Sequence, residues 1–372
     1  MRFFQIPTKR IGHFVHTMNI YFNQKTNSQK NFIDFFSTSG FISNLYFVEL
    51  LKKKINFIPS KLNQIIINTI LFISKISKGF EEHLIKINEY SFNCIDEKRI
   101  FFNNTIKTNT VGKNFLENNG IKLNKDKYVC LCVRDNAYLK KFGSEGKDYS
   151  YHNFRNQELE VFYHVSKYLA DEGYHIVRMG NFPEKKFEPN INKKILDYAN
   201  SKERSDQLDF FLFENCDFII STGTGMDQIG NLFNKPAIHS TVPVHLIVTH
   251  ISNRLYLTKH HYCPKRKRNL KISEIFEYLK DYGNFDDISM NKSLIDAGIL
   301  FKDNSKDEWI EATKEMIFYI KNGHFQKSDI EEKFWKNYKR LIKETNLQKL
   351  HGIKLSSRFS SYFLHKNDEW LN

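Results

Sequence analysis

The sequence predicts an α/β protein of about two domains, built on a parallel sheet and ending in a helical C-terminal part. Short apolar runs of strand length alternate with helical patterns along its middle, and this order produces parallel sheets wound by right-handed crossovers. The chain has 372 residues, 41% of them hydrophobic and 26% charged, and this length accommodates two ordinary hydrophobic cores. Its 16 glycines and 7 prolines are too few for a collagen-like or linker-like chain.

Residues 1–120 are expected to form the N-terminal domain, in which extended and helical segments alternate. The apolar run from Ile65 to Ile73 is shorter than the about 20 residues that cross a membrane. We therefore expect it inside a helix that packs in this domain. The expected elements are the strand RFFQI, the helix FVHTMNIYFNQK, a strand at 31–37 and helices at 42–54 and 63–77.

Residues 121–350 are expected to form the second domain, which begins as strand, helix, strand, helix, strand. Gly173 follows the first of these helices, where a left-handed residue commonly ends a helix. Residues 351–372 are expected to add a last helix that returns to the first domain. The expected strands are KYVCLCV (127–133), YHIVRMG (174–180), DFIIS (217–221) and KPAIHS (235–240), and the expected helices span 156–172, 206–215, 226–234, 273–282, 305–322, 327–345 and 356–365.

The charge balance indicates anionic partners. Lysine plus arginine exceed aspartate plus glutamate by 56 − 42 = 14, which favours phosphate-bearing ligands, nucleic acid or an anionic membrane face. No nucleic-acid module and no set of stacking aromatic residues is recognisable, so we expect no nucleic-acid partner.

Cysteine usage indicates a reduced compartment. The five cysteines include no CxxC pair, and Cys130 and Cys132 alternate within an apolar run. These two are expected to be buried and structural rather than metal ligands. Because no apolar stretch of signal-peptide length opens the chain, the expected location is the cytoplasm.

The segment FIISTGTGMDQIGNLF (218–233) joins a buried strand to a helix through a glycine-rich turn. Backbone N–H groups at the start of a helix favour an anion, typically phosphate, and glycine lets a ligand approach the backbone. The segment is neither a Walker loop nor a GxGxxG fingerprint, and a tight turn that merely needs glycine is the alternative. The candidate phosphate-binding residues are Ser221, Thr222, Gly223, Thr224 and Gly225.

Two further strands of the second region end at an arginine. Arg134 follows KYVCLCV, and Arg178 lies in IVRMG. The carboxyl ends of parallel strands share one sheet edge, so both arginines would reach the glycine-rich turn and hold a diphosphate. The alternative is that each arginine pairs with a nearby carboxylate such as Asp135.

The connection after Arg134 is long for an α/β fold, and long connections are often functional. It contains His152 and Arg155 among aromatic residues, a combination suited to a sugar or a base. A solvated loop is the alternative.

His13 lies in the first strand–helix turn and is the candidate general base. Histidine titrates near neutral pH and can accept a proton from a substrate hydroxyl. His16, one turn further on, is a second candidate, and a purely structural histidine is the alternative.

The run KHHYCPKRKR (259–268) is the densest basic patch. It would suit anionic lipid or a polyprenyl phosphate, while a solvated surface loop, with Lys265 to Arg268 exposed, is the simpler interpretation. The sequence has no HExxH, CxxC or DxD string, so no metal site is expected.

Several segments, in one order along the chain, match the motifs of a single family. They are RIGHF near the start, VRD (133–135), YHNFRN (151–156), GYHIVRMG (173–180), CDFIISTGTG (216–225), LKISEIFE (270–277), DAGILFKDNSKDEW (296–309) and the terminal DEWLN. Together they resemble bacterial glycosyltransferases of surface-polysaccharide loci, which are related to GT-B enzymes. The resemblance covers nearly the whole chain.

This resemblance implies two Rossmann-like domains facing a cleft, the GT-B-like arrangement, with a nucleotide-sugar donor bound mainly by the second domain. It implies neither a metal nor another cofactor. The donor site would include residues that match the family's motifs: Arg134, His152, Arg155, Arg178 and Ser221–Gly225.

The sequence and the resemblance together predict a metal-independent glycosyltransferase of the hexosyltransferase type. It would move a sugar from a nucleotide-sugar donor to a cell-surface glycan or a polyprenyl-linked acceptor, in peripheral contact with the inner membrane face. Arginines and backbone N–H groups would stabilise the leaving diphosphate, and His13 would take the proton of the attacking hydroxyl. Two alternatives remain: a nucleotide-sugar epimerase of the same architecture, and a non-catalytic nucleotide- or glycan-binding protein.

Overall fold

The computed structural model describes residues 1–27, 32–88, 94–102, 110–142, 150–187, 192–240, 244, 247–279, 293–345 and 355–371. Within them the chain is an α/β protein with two parallel sheets and a helical C-terminal part, as predicted. A third sheet is small and antiparallel.

The first region carries a three-stranded parallel sheet in the order β1-β2-β3. Its elements are β1 (Arg2–Ile6), α1 (Ile11–Asn27), β2 (Asp34–Thr38), α2 (Leu45–Lys52), β3 (Asn56–Phe57) and α3 (Ser60–Ser74), followed by a 3-10 helix at Phe80–His83 and by α4 (Thr110–Asn118). The buried carboxylate of Asp34 fastens the first two strands, since it accepts two hydrogen bonds from the Arg2 guanidinium (2.8 and 2.9 Å). Asn44 caps the N-terminus of α2, because its side chain accepts a hydrogen bond from the Phe47 N–H (2.8 Å).

The second region is built on a seven-stranded parallel sheet. Its first described strands and α-helices are β4 (Lys127–Cys132), α5 (Ala137–Phe142), α6 (Leu159–Asp171), β5 (Tyr174–Arg178), β6 (Ile195–Leu196), α7 (Asp206–Asn215), β7 (Phe218–Ser221), α8 (Asp227–Leu232), β8 (Ala237–Ser240) and β9 (Arg254–Leu257). The four buried strands expected from the sequence are adjacent, in the order β8-β7-β4-β5. Gly173 follows α6 with a φ of 91°, the left-handed conformation expected of it.

The last part of the chain completes this sheet. It comprises β10 (His260–Cys263), β11 (Arg268–Asn269), α9 (Ile272–Glu277), β12 (Leu300–Lys302), α10 (Lys306–Asn322), α11 (Asp329–Glu344), β13 (Arg358–Phe359) and α12 (Ser361–Lys366). The last helix was expected to return to the first region, but β13 pairs with β9 and α12 packs on α10 and α11. The reason is aromatic packing: Phe359 and Trp370 lie 4.4 and 5.9 Å from Phe334 of α11, ring centre to ring centre.

The seven-stranded sheet separates two buried clusters, because successive strand residues point to opposite faces. Val129 and Leu131 face the layer of α6, α10 and α11. Tyr128, Cys130 and Cys132 face α7 and α8, and this cluster continues without a break into α1 and α2 of the first region. Both cysteines are buried thiols, as predicted, and the domain boundary near residue 120 stays a prediction.

Helix α3 is less buried than predicted. Among its residues Asn63 and Ile70 are buried, whereas Ile65 is 64% and Phe72 66% exposed. The expectation that the run from Ile65 to Ile73 packs inside the first region is therefore wrong for one side of the helix. No helix in the described part of the chain combines the length and the apolar character needed to cross a membrane.

Candidate functional site

A cleft of about 440 Å³ opens between the carboxyl edges of the two parallel sheets. Residues that follow β1, β4, β5 and β7, together with the end of β8, line it. Strand β4 lies between β5 and β7, so the winding of the sheet reverses at this point, which is where open α/β sheets bind ligands. The volume lies in the range of cofactor and substrate pockets.

Most of the predicted site residues line this cleft. His13 lies exposed in the first turn of α1 and faces the cleft together with His16. From the second region come Arg134, Arg155, Arg178, Gly223, Thr224 and Gly225. His152 lies in a 3-10 helix at Ser150–Arg155, and its side chain lies outside the described residues.

The glycine-rich turn is braced internally. Ser221 and Thr222 are buried beneath the cleft surface. The Ser221 hydroxyl donates to Asp227 (2.6 Å) and accepts from the N–H groups of Gly223 (3.1 Å) and Thr224 (3.4 Å), and the Thr222 N–H donates to a carbonyl at the end of β4 (3.0 Å). The Ser221 hydroxyl and the end of β4 therefore already accept hydrogen bonds from these three N–H groups, and their phosphate-binding role stays a prediction.

Arg155 and Arg134 both reach this turn. The Cδ of Arg155 lies 3.4 Å from the position that a methyl group on Gly223 would take, so the arginine crosses directly above the glycine. The backbone N–H of Arg134 donates to the Thr222 hydroxyl (2.8 Å), which fixes the end of β4 against the turn. The sequence predicted that Arg134 and Arg178 would reach this turn; Arg134 adjoins it, and Arg155 takes the second place beside it.

Arg178 also borders the cleft, but it is only 2% exposed. Its Nη1 donates to a backbone carbonyl (2.7 Å) and lies 3.5 Å from Asp197. Burial lowers the pKa of Arg178, and Asp197 opposes that shift. Arg178 therefore pairs with a carboxylate, which was the alternative that the sequence left open, although the partner is Asp197 and not Asp135. The Asp135 carboxylate instead accepts hydrogen bonds from two backbone N–H groups (3.0 and 2.9 Å).

The sequence analysis missed a buried polar group beside the turn. Burial raises the pKa of Asp227 to about 6, although the hydrogen bonds from Ser221 and Gln228 oppose the shift. His239 of β8 has its Nδ1 3.8 Å from the Asp227 carboxylate. Burial, with a smaller effect of Arg254, lowers the pKa of His239 to about 3, so the imidazole is neutral at pH 7 and the contact is not an ion pair there.

Arg254, at the start of β9, is the third missed residue. It is 2% exposed and borders the cleft. Its guanidinium donates to the side-chain oxygens of Asn253 (2.6 Å) and Asn231 (2.8 Å). A charged residue in a buried strand is the signal that could have identified it, since arginine is rarely buried without a partner.

Arginine is concentrated in this cleft. The chain has 12 arginines and 44 lysines. Seven of the arginines line the cleft, and none of the described lining residues is a lysine. Five acidic residues line it as well. The guanidinium fork matches the oxygens of a phosphate or carboxylate, whereas the ammonium is a point charge, so this distribution indicates an anionic ligand held by geometry. The seven are Arg10, Arg99, Arg134, Arg155, Arg178, Arg204 and Arg254.

The basic run 259–268 lies elsewhere, in the hairpin of β10 and β11. Lys265 to Arg268 are exposed, as predicted. Lys259, however, is 3% exposed and pairs with Asp303 (2.6 Å), and Glu274 pairs with two of the exposed arginines. The run therefore presents less unpaired charge than its composition suggests.

Within the described ranges no group of three or more His, Cys, Asp or Glu side chains is placed to hold a metal ion. The expectation that catalysis needs neither a metal nor a cofactor stays a prediction.

No family model and no curated protein matches this sequence. Among solved structures the chain is similar to a glycosyl transferase of family 9 from Veillonella parvula, with 11% identity, a TM-score of 0.47, and 85% of this chain and 96% of that chain covered. It is also similar to the E. coli ADP-heptose LPS heptosyltransferase II, with 10% identity, a TM-score of 0.43 and coverages of 80% and 98%. A third similar structure is E. coli heptosyltransferase WaaC with ADP-2-deoxy-2-fluoro heptose, with 12% identity, a TM-score of 0.34 and coverages of 72% and 95%.

Proposed function

We propose that the protein is a glycosyltransferase that moves a sugar from a nucleotide-sugar donor to a cell-surface glycan or a lipid-linked acceptor. One observation carries the proposal: seven of 12 arginines line a single cleft at a winding reversal of a parallel sheet, while none of 44 lysines is among the described residues there. A diphosphate linked to a sugar is a ligand whose negative charge and paired oxygen atoms fit such a site.

In the proposed reaction, Arg155 and Arg134 hold the diphosphate of the donor above the glycine-rich turn. The acceptor hydroxyl oxygen attacks the anomeric carbon while the bond from that carbon to the diphosphate oxygen breaks. The diphosphate leaves with the electron pair, and the guanidinium groups stabilise its charge. The hydroxyl proton passes to His13, which lies in the first turn of α1 and lines the cleft.

The proposed reaction takes place in the cytoplasm without a metal ion. The arginines supply the positive charge that a divalent cation would otherwise supply to the leaving group. All five cysteines are thiols, and four of them are buried, which supports a reducing compartment. A hexose is the proposed sugar class.

Ligand-dependent melting tests the donor class first. A nucleoside diphosphate at about 100 times its Kd should stabilise the protein by about 2.7 kcal/mol. Melting with a panel of nucleoside diphosphates then identifies the nucleobase that the protein prefers. NMR of the matching nucleotide sugar with the enzyme then separates the possibilities: slow release of sugar supports a transferase, an isomerised donor supports an epimerase, and an unchanged donor with tight binding supports a non-catalytic binder. The absence of stabilisation by every nucleotide would overturn the proposal.

A further inference from the structure

Helix α3 has two apolar faces, and its inner face is the one that packs on the first sheet. Asn63 on this face is fully buried, and its side-chain amide donates to the Phe4 carbonyl (2.9 Å) and to the Ser37 hydroxyl (2.7 Å). Ile70, two turns later, is buried beside it. These contacts fix which side of the helix faces the protein.

The outer face of α3 is apolar and turned to solvent. Leu62, Ile65 and Phe72 are 48%, 64% and 66% exposed, and Ile76, just beyond the helix, is 76% exposed. Spacings of three and seven residues place Leu62, Ile65 and Phe72 on one side of the helix, with Thr69 between the last two. Single exposed hydrophobic residues are ordinary, but several on one side of a helix are typical of an interaction surface.

The charge around this outer face has one sign. Residues 60–78 contain three lysines and neither aspartate nor glutamate: Lys61, Lys75 and Lys78. Of the two acids that follow, Glu81 is paired with Lys86 (2.6 Å). Lysine stems can lie along an apolar surface while their ammonium groups reach the anionic headgroups beside it.

This charge pattern disfavours a second copy of the chain as the occupant. A two-fold partner would place lysines against lysines on a helix that has no carboxylate to pair with them. The basic hairpin of β10 and β11 is a weaker membrane candidate, because Glu274 pairs with Arg266 and Arg268. An anionic lipid surface matches both the apolar row and the lysines of α3.

We propose that the outer face of α3 docks on an anionic phospholipid membrane, with the helix lying in the headgroup plane. The Ser60 hydroxyl donates to the Thr38 carbonyl (2.9 Å) at the end of β2, so α3 starts at the carboxyl edge of the first sheet. His13 follows β1 at that same edge. Docking therefore holds the first turn of α3, and with it the carboxyl edge of the first sheet, next to the membrane. This inference goes beyond the proposed function, because lipid binding is measured without donor or acceptor.

Flotation of the full-length protein with vesicles tests the docking. The wild type should float with vesicles of phosphatidylglycerol and phosphatidylcholine and should bind phosphatidylcholine alone far more weakly. Ile65→Ser with Phe72→Ser should reduce vesicle binding by about tenfold or more, because each of these apolar side chains gains free energy when the membrane buries it. Lys61→Gln with Lys75→Gln should reduce it about fivefold per lysine.

Matched changes elsewhere are the controls. Ile295→Ser, at a residue that is 44% exposed, and Lys336→Gln with Lys339→Gln on the exposed side of α11 should leave vesicle binding unchanged. All variants should keep nucleotide-dependent melting shifts, because the altered residues lie outside the cleft. Equal vesicle binding by wild type and α3 variants would overturn the proposal, and so would a wild-type dimer that Phe72→Ser dissociates without any lipid binding.

Discussion

Gly12 and Gly225 meet backbone to backbone, where the first turn of α1 reaches the glycine-rich turn. A methyl group on Gly12 would lie 2.8 Å from the Cα of Gly225, and one on Gly225 would lie 3.0 Å from the Gly12 nitrogen. Side chains essentially never make the first contact and rarely make the second, and both involve backbone atoms, so glycine at these positions lets α1 close on α8. Gly225 thus serves the contact between the two regions, whatever it also does for a ligand.

Gly225→Ala is expected to lower the free energy of unfolding by about 1–3 kcal/mol, because the added methyl group overpacks this contact. Urea denaturation measures the loss, and nucleotide affinity should fall with it. The control is Gly298→Ala, where φ is 76° and nothing lies within 4 Å; it should lose about 1–2 kcal/mol from backbone strain alone and keep its nucleotide affinity. Unchanged affinity in both variants would contradict the prediction.

Arg155→Lys is expected to weaken nucleoside-diphosphate binding about tenfold, since lysine keeps the charge but loses the paired hydrogen bonds. Calorimetry with the diphosphate and with the bare nucleoside measures the effect, and the nucleoside should bind as before. Arg340→Lys, on the exposed side of α11, is the matched control. Equal losses for diphosphate and nucleoside would show that Arg155 is not a phosphate ligand.

Arg178→Ala is expected to act mainly on stability. Removing the guanidinium takes away the hydrogen bonds that it donates to a backbone carbonyl and to Asp197. A buried group that is left unsatisfied lowers the free energy of unfolding by about 1–3 kcal/mol. Denaturation by urea should show this loss. A variant of wild-type stability with abolished diphosphate binding would instead make Arg178 a ligand for the donor.

His13→Ala is expected to lower kcat by about 10²–10⁴ while nucleotide affinity is kept, the signature of a lost general base. Single-turnover transfer and calorimetry measure the two quantities. His16→Ala is the control, because His16 lines the same cleft one turn later. If His16→Ala loses the activity and His13→Ala does not, the proton acceptor is His16.

The pH dependence of stability should contain a contribution from Asp227. Its pKa is raised from 3.8 to about 6 in the folded protein, so the stability it contributes is present below pH 4 and is lost as the pH rises through 6. Asp227→Asn keeps an oxygen that accepts from Ser221 and does not ionise. Between pH 4 and 7 the free-energy difference should shift in favour of the variant by about 2 kcal/mol, as measured by calorimetric melting; a constant difference would refute this.

The buried strands of the second region were predictable because each is a short, continuous apolar run. The exposure of α3 was not, since its sequence is apolar on two faces and periodicity does not tell which face finds a partner. The docking of α12 was also missed: Phe359 and Trp370 show that the segment packs, but a sequence does not show against what.

The site was predictable where it follows strand ends. Arg134 and Gly223 adjoin apolar runs and could be placed on one sheet edge. Asp227, His239 and Arg254 come from three different elements, and only the parallel pairing of β7, β8 and β9 brings them together. The hydrogen bonds of Ser221 within the turn could not be predicted either. A short polar side chain next to glycines is equally typical of a residue that binds a ligand and of one that stabilises the turn.

The buried cluster beneath the cleft has a mechanical consequence. Phe47 of α2 stacks on Phe210 of α7 with ring centres 5.3 Å apart, and Tyr46 meets the same ring edge-on at 5.7 Å. Parting the two regions like a hinge would expose these rings to water, at about 25 cal/mol for each Å² of apolar surface. A hinge opening of the cleft therefore costs free energy in proportion to the aromatic surface that it uncovers, and these ring contacts hold the two regions at the separation seen here.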